Sequence, residues 1–179
     1  MRALISIFTA ATLLISSATF AKEPGWYGGV SIGSTKIEAA GLKDDSIGGG
    51  LLGGYQQNKY LAWEGEIQTS GEAKGLGTGQ VNIKAKYESW AIGIVGMYPF
   101  ADRFTVFGRF LPMYGKFSID SDAGNKSERE GGYTIGAGAS AQFGPVDLRL
   151  RYDLQRVNFE KDNSIDYPKR IGLDVLWRF

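Results

Sequence analysis

The chain has 179 residues, with 20 Lys and Arg against 19 Asp and Glu, so a formal net charge of +1 gives no field that would gather nucleic acid. It contains neither Cys nor His, which excludes disulfides, thiolate chemistry and Ser-His-Asp hydrolysis and removes most zinc sites, so no cofactor and no metal are implied. Its 26 glycines come with 9 Tyr, 10 Phe and 4 Trp, and glycine mixed with aromatics points to packed β-structure where glycine alone would point to disorder.

The first element is a targeting segment. MRALISIFTAATLLISSATFA opens with Arg2, runs apolar from Ala3 to Ile15 and closes on small residues up to Ala21. That is the layout of a secretory signal peptide over residues 1–21, too short for a membrane-spanning helix, which needs about 18 or more apolar residues. Residues 22–179 are then one domain.

Helical periodicity is missing after that, and period 2 recurs. Trp26, Gly28, Val30 and Ile32 alternate with Tyr27, Gly29, Ser31 and Gly33. Ile47, Leu51 and Tyr55 share a face of a second strand, a turn falls at 57–59, and Leu61, Trp63, Gly65 and Ile67 oppose Ala62, Glu64, Glu66 and Gln68. Trp90, Ile92, Ile94 and Tyr98 lead to a turn at 99–103. Val106, Phe110 and Tyr114 then oppose Thr105, Phe107 and Arg109. Tyr133 to Phe143 alternates up to a Gly144-Pro145 turn. Leu148, Leu150, Tyr152 and Leu154 oppose Arg149, Arg151, Asp153 and Gln155. The last strand sets Tyr167, Ile171, Leu173, Val175, Trp177 and Phe179 against Arg170, Gly172, Asp174, Leu176 and Arg178.

Eight strands result, joined alternately by tight turns and by polar stretches near 38–46, 70–79, 117–131 and 157–166, which read as long loops. Short turns on one rim and long loops on the other describe an all-β, eight-stranded antiparallel up-and-down transmembrane barrel. A soluble lipocalin-like barrel is the competing arrangement, with the apolar face inside. The apolar face carries Trp26, Trp63, Trp90, Trp177, Tyr55, Tyr98, Phe110, Phe143, Tyr152 and Phe179. An eight-stranded interior barely holds its side chains, so that many rings belong outside, toward lipid, and small residues with a few paired charges belong inside. An even strand count puts both mature termini on one side, expected to be the periplasmic, short-turn side of a Gram-negative outer membrane.

The stretch GLLGGYQQNKYLAWEGEI resembles the OmpA-like transmembrane β-barrel, an outer membrane protein β-barrel domain family. The likeness continues in GMYPFADRFTVFGRF, FGPVDLRLRYDL and IGLDVLWRF, across essentially all of the mature chain. The resemblance implies a non-enzymatic, porin-like or structural outer-membrane protein. It implies a charged lumen network proposed to gate a narrow pore, with Glu64, Arg109 and Arg149 in matching inward positions. Val95 and Ser140 depart from the pattern, so the network is rearranged. It also implies that Val175, Trp177 and Phe179 form a closing signal for the barrel-insertion machinery.

Two further sets of residues carry candidate function. Inside, Glu64, Glu66, Asp153 and Asp174 face Arg109, Arg149, Arg151, Arg170 and Arg178. Interleaved opposite charges in a narrow lumen are first a packing solution, with water or ion passage second and acid/base catalysis a distant third. On the outside, lipid-facing parity at the loop end reaches Lys36, Lys84, Lys86, Lys116, Arg156 and Lys169. Cations at that depth would meet lipopolysaccharide phosphates through charge-assisted hydrogen bonds, the plainer account being snorkelling. Glu88 falls in the same phase and opposes that reading. The segments SIDSDAGNKSEREGG and NFEKDNSIDYP are the places for a host or surface ligand. Function is thus expected to be structural or surface-interacting, with a narrow passive pore or a loop-borne adhesin as alternatives.

Overall fold

The computed structural model describes residues 24–39, 42–76, 82–121, 124–157 and 169–179. The expected signal peptide, and the polar segment 158–168 with Tyr167, lie outside the described residues. Eight strands follow in chain order: β1 (Gly25–Ala39), β2 (Leu42–Asn58), β3 (Leu61–Leu76), β4 (Asn82–Pro99), β5 (Phe104–Ser121), β6 (Gly124–Phe143), β7 (Val146–Val157) and β8 (Lys169–Arg178). Each pairs antiparallel with the next, and β1 meets β8 from Tyr27↔Arg178 to Lys36↔Lys169, closing the barrel. The Phe179 backbone N–H extends that seam by donating to the Trp26 carbonyl at 3.0 Å. Closure pairs the strand edges, which a wall in hydrocarbon requires.

The short turns have local causes. Asn58 Oδ1 accepts the N–H groups of Tyr60 and Leu61 at 2.8 and 3.0 Å, and this Asx geometry sets the β2–β3 turn at Lys59–Tyr60, a residue later than the sequence suggested. Gly144 has φ of 60°, which a two-residue hairpin through Gly144-Pro145 demands of its first position.

The polar stretches behave differently from expectation. Those near 38–46, 70–79 and 117–131 are not long loops: β1 and β2 stay paired to Ala39↔Leu42, β3 and β4 to Leu76↔Asn82, and β5 and β6 to Ser121↔Gly124. Polarity there marks where the strands leave the apolar band. It does not mark where the sheet ends, because beyond the band both faces meet water and ladder hydrogen bonds still form.

The alternation sorts side chains as the pattern predicted. Along β8 exposed and buried residues alternate strictly from Lys169 to Trp177. Trp26, Val30, Leu51, Trp63, Ile67, Trp90, Ile92, Tyr98, Phe110, Leu150, Ile171 and Trp177 are all exposed. Trp90 and Tyr98 stand eight residues apart on β4. At about 3.4 Å per residue and a strand tilt of about 40° this is roughly 21 Å of height, close to the apolar band of about 25 Å in such barrels. Ring pairs mark both ends, Trp26–Tyr55 at 5.1 Å and Trp90–Tyr114 at 6.0 Å between centroids.

Candidate functional site

The lumen is built from the inward positions of every strand. Period 2 brings Glu64 and Glu66 inward from β3, Arg109 from β5, and Asp147, Arg149, Arg151 and Asp153 from β7. Arg170, Asp174 and Arg178 come from β8, and all ten are buried except the half-buried Arg178. Five guanidinium and five carboxylate groups thus share the described lumen, and their formal charges cancel.

Arg109 is the hub. Its Nη1 donates to Glu64 Oε1 at 3.0 Å, its Nη2 to Glu66 Oε2 at 2.8 Å and to Asp153 Oδ2 at 3.0 Å, and its Nε to Asp153 Oδ1 at 2.9 Å. Arg149 Nη1 donates to Glu64 Oε2 at 2.6 Å, and the Tyr27 hydroxyl donates to the same oxygen at 2.9 Å. Arg151 grips Glu66 with both Nη atoms at 2.5 and 2.9 Å, and stands 3.3 Å from Asp153 and 3.1 Å from Asp174. Planar, forked guanidinium groups suit this work, since each can serve two or three carboxylates at once. Glu64, Glu66, Arg109, Arg149, Arg151, Asp153 and Asp174 are thus brought together in the lumen.

The structure adds one charged member that the sequence reading did not name, Asp147, and gives the expected Arg170 and Arg178 their partners. Asp147 lies 3.8 Å from both Arg149 and Arg178. Arg170 donates to Gln68 and Ser31, and Arg178 donates to Gln56. Val95 and Ser140, where the family pattern changes, are both inward and buried, and the Glu64–Arg149 contact survives beside them.

The interior is also bulkier than expected. Tyr27, Leu52, Ala62, Val95, Met97, Phe107 and Leu176 form an apolar cluster toward the short-turn end, and Tyr87, Ala91, Leu111 and Met113 form another on the β4–β5 side beyond the hub. Rings fit because glycines on neighbouring strands make room. A Cβ on Gly54 would lie 2.5 Å from the Tyr27 hydroxyl, one on Gly115 2.5 Å from that of Tyr87, and one on Gly138 2.6 Å from Phe107 Cζ. Arg149 packs over the Tyr27 and Phe107 rings, with Cζ 4.9 and 5.4 Å from their centroids.

On the outer wall, Lys36, Lys86, Arg156 and Lys169 are exposed and Lys116 is half-buried, while Lys84 sits on β4 with its side chain outside the described residues. The register divides this rim. Lys36 on β1 stands opposite Lys169 on β8, and opposite Asp45 on β2. Across the barrel Glu88 pairs with Lys86 at 2.7 Å and faces Lys116 in the β4–β5 ladder. Arg156 reaches the Tyr133 hydroxyl at 3.4 Å.

Comparison with known proteins adds to this geometry. A family model for the outer membrane protein beta-barrel domain matches residues 7–179. No curated protein sequence matches the chain significantly. Among solved structures, Neisserial surface protein A is similar with 14% identity and a TM-score of 0.65, over 87% of this chain and 97% of that one. The N-terminal barrel domain of Pseudomonas aeruginosa OprF gives 11% identity and a TM-score of 0.62, over 88% and 100%. Ail, the attachment invasion locus protein of Yersinia pestis, solved with the heparin analogue sucrose octasulfate, gives 18% and 0.54, over 87% and 97%. At these identities the likeness establishes the fold alone.

Proposed function

We propose, since this chain belongs to the outer membrane protein beta-barrel domain family, that it is a non-enzymatic structural barrel whose basic outer rim holds lipopolysaccharide. The chain is a multi-pass β-barrel of the outer membrane. The observation that carries the reading is the filled lumen. Buried charges, most of them in ion pairs, and two apolar clusters occupy the described interior, so partners are met by the outer wall and the extracellular strands. On this reading residues 1–21 are a cleaved signal peptide, residues 22–179 form the barrel and both mature termini are periplasmic. Val175, Trp177 and Phe179 serve as the closing signal for the barrel-insertion machinery.

Lys36, Lys84, Lys86, Lys116, Arg156 and Lys169 follow one lipid-facing phase at the extracellular end. Each cation near an anionic surface contributes on the order of 1 kcal/mol at low ionic strength, so three should give about 3 kcal/mol. The test compares Lys36→Gln/Arg156→Gln/Lys169→Gln with Lys84→Gln/Lys86→Gln/Lys116→Gln for the stabilisation that lipopolysaccharide gives the refolded barrel. Both should lose stabilisation at low salt, with little change in zwitterionic lipid, and the loss should shrink at high salt. Parent-like stabilisation in both triples would reduce these cations to solvated rim residues.

An adhesin role has one supporting feature. The same cations have the chemistry to take sulfate groups, and Ail was solved with a sulfated sugar. Sucrose octasulfate that binds the parent and displaces lipopolysaccharide would favour that role. A sulfated sugar with no effect would leave the lipid as the partner.

A further inference from the structure

Three outward rows cross β1, β2 and β3 toward the short-turn end. Trp26, Tyr55 and Trp63 stand directly opposite one another, two residues on come Gly28, Gly53 and Gly65, and two further come Val30, Leu51 and Ile67. The glycine row is flanked by Trp177 opposite Gly28 and Ile92 opposite Gly65. The result is a depression of about 730 Å³ in the outer wall, lined by Trp26, Gly53, Tyr55, Trp63, Gly65 and Ile92 together with the intervening Gly54 and Glu64, whose own positions face inward. Trp177 and Ile92 are four strand spacings apart, about 19 Å at 4.8 Å each.

Nothing inside the protein asks for glycine along this row. Neither Gly53 nor Gly65 has a positive φ. A Cβ would sit 3.5 Å from the Tyr27 carbonyl oxygen at Gly53 and 3.8 Å from that of Ala91 at Gly65, ordinary contact distances. The inward glycines of the same strand contrast with this: a Cβ on Gly54 would lie 2.3 Å, and one on Gly50 2.5 Å, from a backbone oxygen. Space outside the wall is what the outward glycines preserve. The depression is continuous with the lipid-facing band, and it is bounded by three aromatic side chains whose polar tips have no protein partner among the described residues. Such tips favour the depth of lipid head groups.

We propose that the depression holds one acyl chain of a membrane phospholipid, with its head group beside the polar tips of Trp26, Tyr55 and Trp63. The inference rests on the outer-membrane fold and is independent of the lipopolysaccharide rim on the opposite end.

The test is native mass spectrometry of the full barrel, taken from nanodiscs of phosphatidylethanolamine and phosphatidylglycerol into mild detergent. The parent should retain one phospholipid. Gly53→Leu/Gly65→Leu fills the depression and should lower retention about tenfold, the equivalent of about 1.4 kcal/mol, while the band still shifts on heating as a folded barrel does. Ala137→Leu/Ala139→Leu, outward on β6, should retain lipid as the parent does. If the leucines prevent folding, Trp63→Ala removes a wall without adding bulk and should show the same loss. Retention unchanged in the filled variant or in Trp63→Ala, or none in the parent, overturns the proposal. So does cross-linking of two Gly53→Cys copies, which would put a second barrel on this face.

Discussion

Replacing Arg109 by Met should be among the most damaging single changes in the lumen. Arg109 gives four hydrogen bonds to three carboxylates. At about 1.5–3 kcal/mol for each bond to a charged group, the gross interaction is roughly 6–12 kcal/mol. Two terms reduce the observable loss. Burying the guanidinium already costs several kcal/mol, which the variant recovers. Each carboxylate also keeps a second partner: Glu64 keeps Arg149, while Glu66 and Asp153 keep Arg151. The expected loss is therefore about 3–5 kcal/mol, the range for breaking a buried pair from one side. Urea unfolding of the refolded protein in lipid vesicles measures it, with Lys59→Ala in the exposed turn as the control, expected within about 0.5 kcal/mol of the parent. Adding Glu66→Gln to Arg109→Met removes the one negative charge then in excess and should restore about 0.5–3 kcal/mol, the usual coupling of residues in one network. A loss below about 1 kcal/mol for Arg109→Met would show that the network does not hold the barrel together, and the energetic argument would fall with it.

Gly115→Ala should cost about 1–3 kcal/mol as overpacking, and Tyr87→Leu should rescue it, because the three atoms nearest the added Cβ all belong to the Tyr87 side chain. Gly54→Ala should resist rescue by Tyr27→Leu, since its Cβ would also strike the Trp63 carbonyl oxygen at 2.3 Å; equal recovery in both pairs, measured by urea midpoint, would refute the distinction. The parent should show no steady conductance in planar bilayers, and Tyr27→Ala/Phe107→Ala, which opens the cluster near the short turns, should raise it; a conducting parent would favour the narrow-pore reading. Deleting Phe179 should lower the amount of heat-modifiable barrel in the outer membrane, and unchanged accumulation would remove its role as an insertion signal.

Much of this was legible from one rule, that side chains alternate across a strand. The rule puts Glu64 and Arg149 inside and Trp63 and Leu150 outside with no knowledge of which strands meet. It reaches Asp147 as well, two residues before Arg149, although that residue went unnamed. What the rule does not hold is register. Arg109 meets Asp153 across 44 residues of sequence, and Arg149 meets Glu64 across 85. Partners at such separations follow from how the strands are staggered around the barrel. The interior rings are another instance, because Tyr27 fits only where Gly54 is its neighbour. The extent of the strands was misread because polarity signals water and not the end of pairing.

The neutral lumen has a consequence for assembly. Of the ten charges in the described lumen, seven lie on the last two strands: four on β7 and three on β8, with a net charge of +1. Glu64, Glu66 and Arg109, from β3 and β5, sum to −1. The N-terminal six strands and the C-terminal hairpin are thus oppositely charged halves of one lock, and neither half can balance its own charges in a low-dielectric membrane. An intermediate whose sheet has not yet curled far enough to bring β7 across the lumen to β3 and β5 keeps both imbalances, each a penalty of several kcal/mol per unpaired ion. Curling the sheet toward closure at the β8–β1 seam is then what also brings the lumenal charges into cancellation. Insertion gains an all-or-none last step, and a stalled, half-closed barrel is left without a stable resting place.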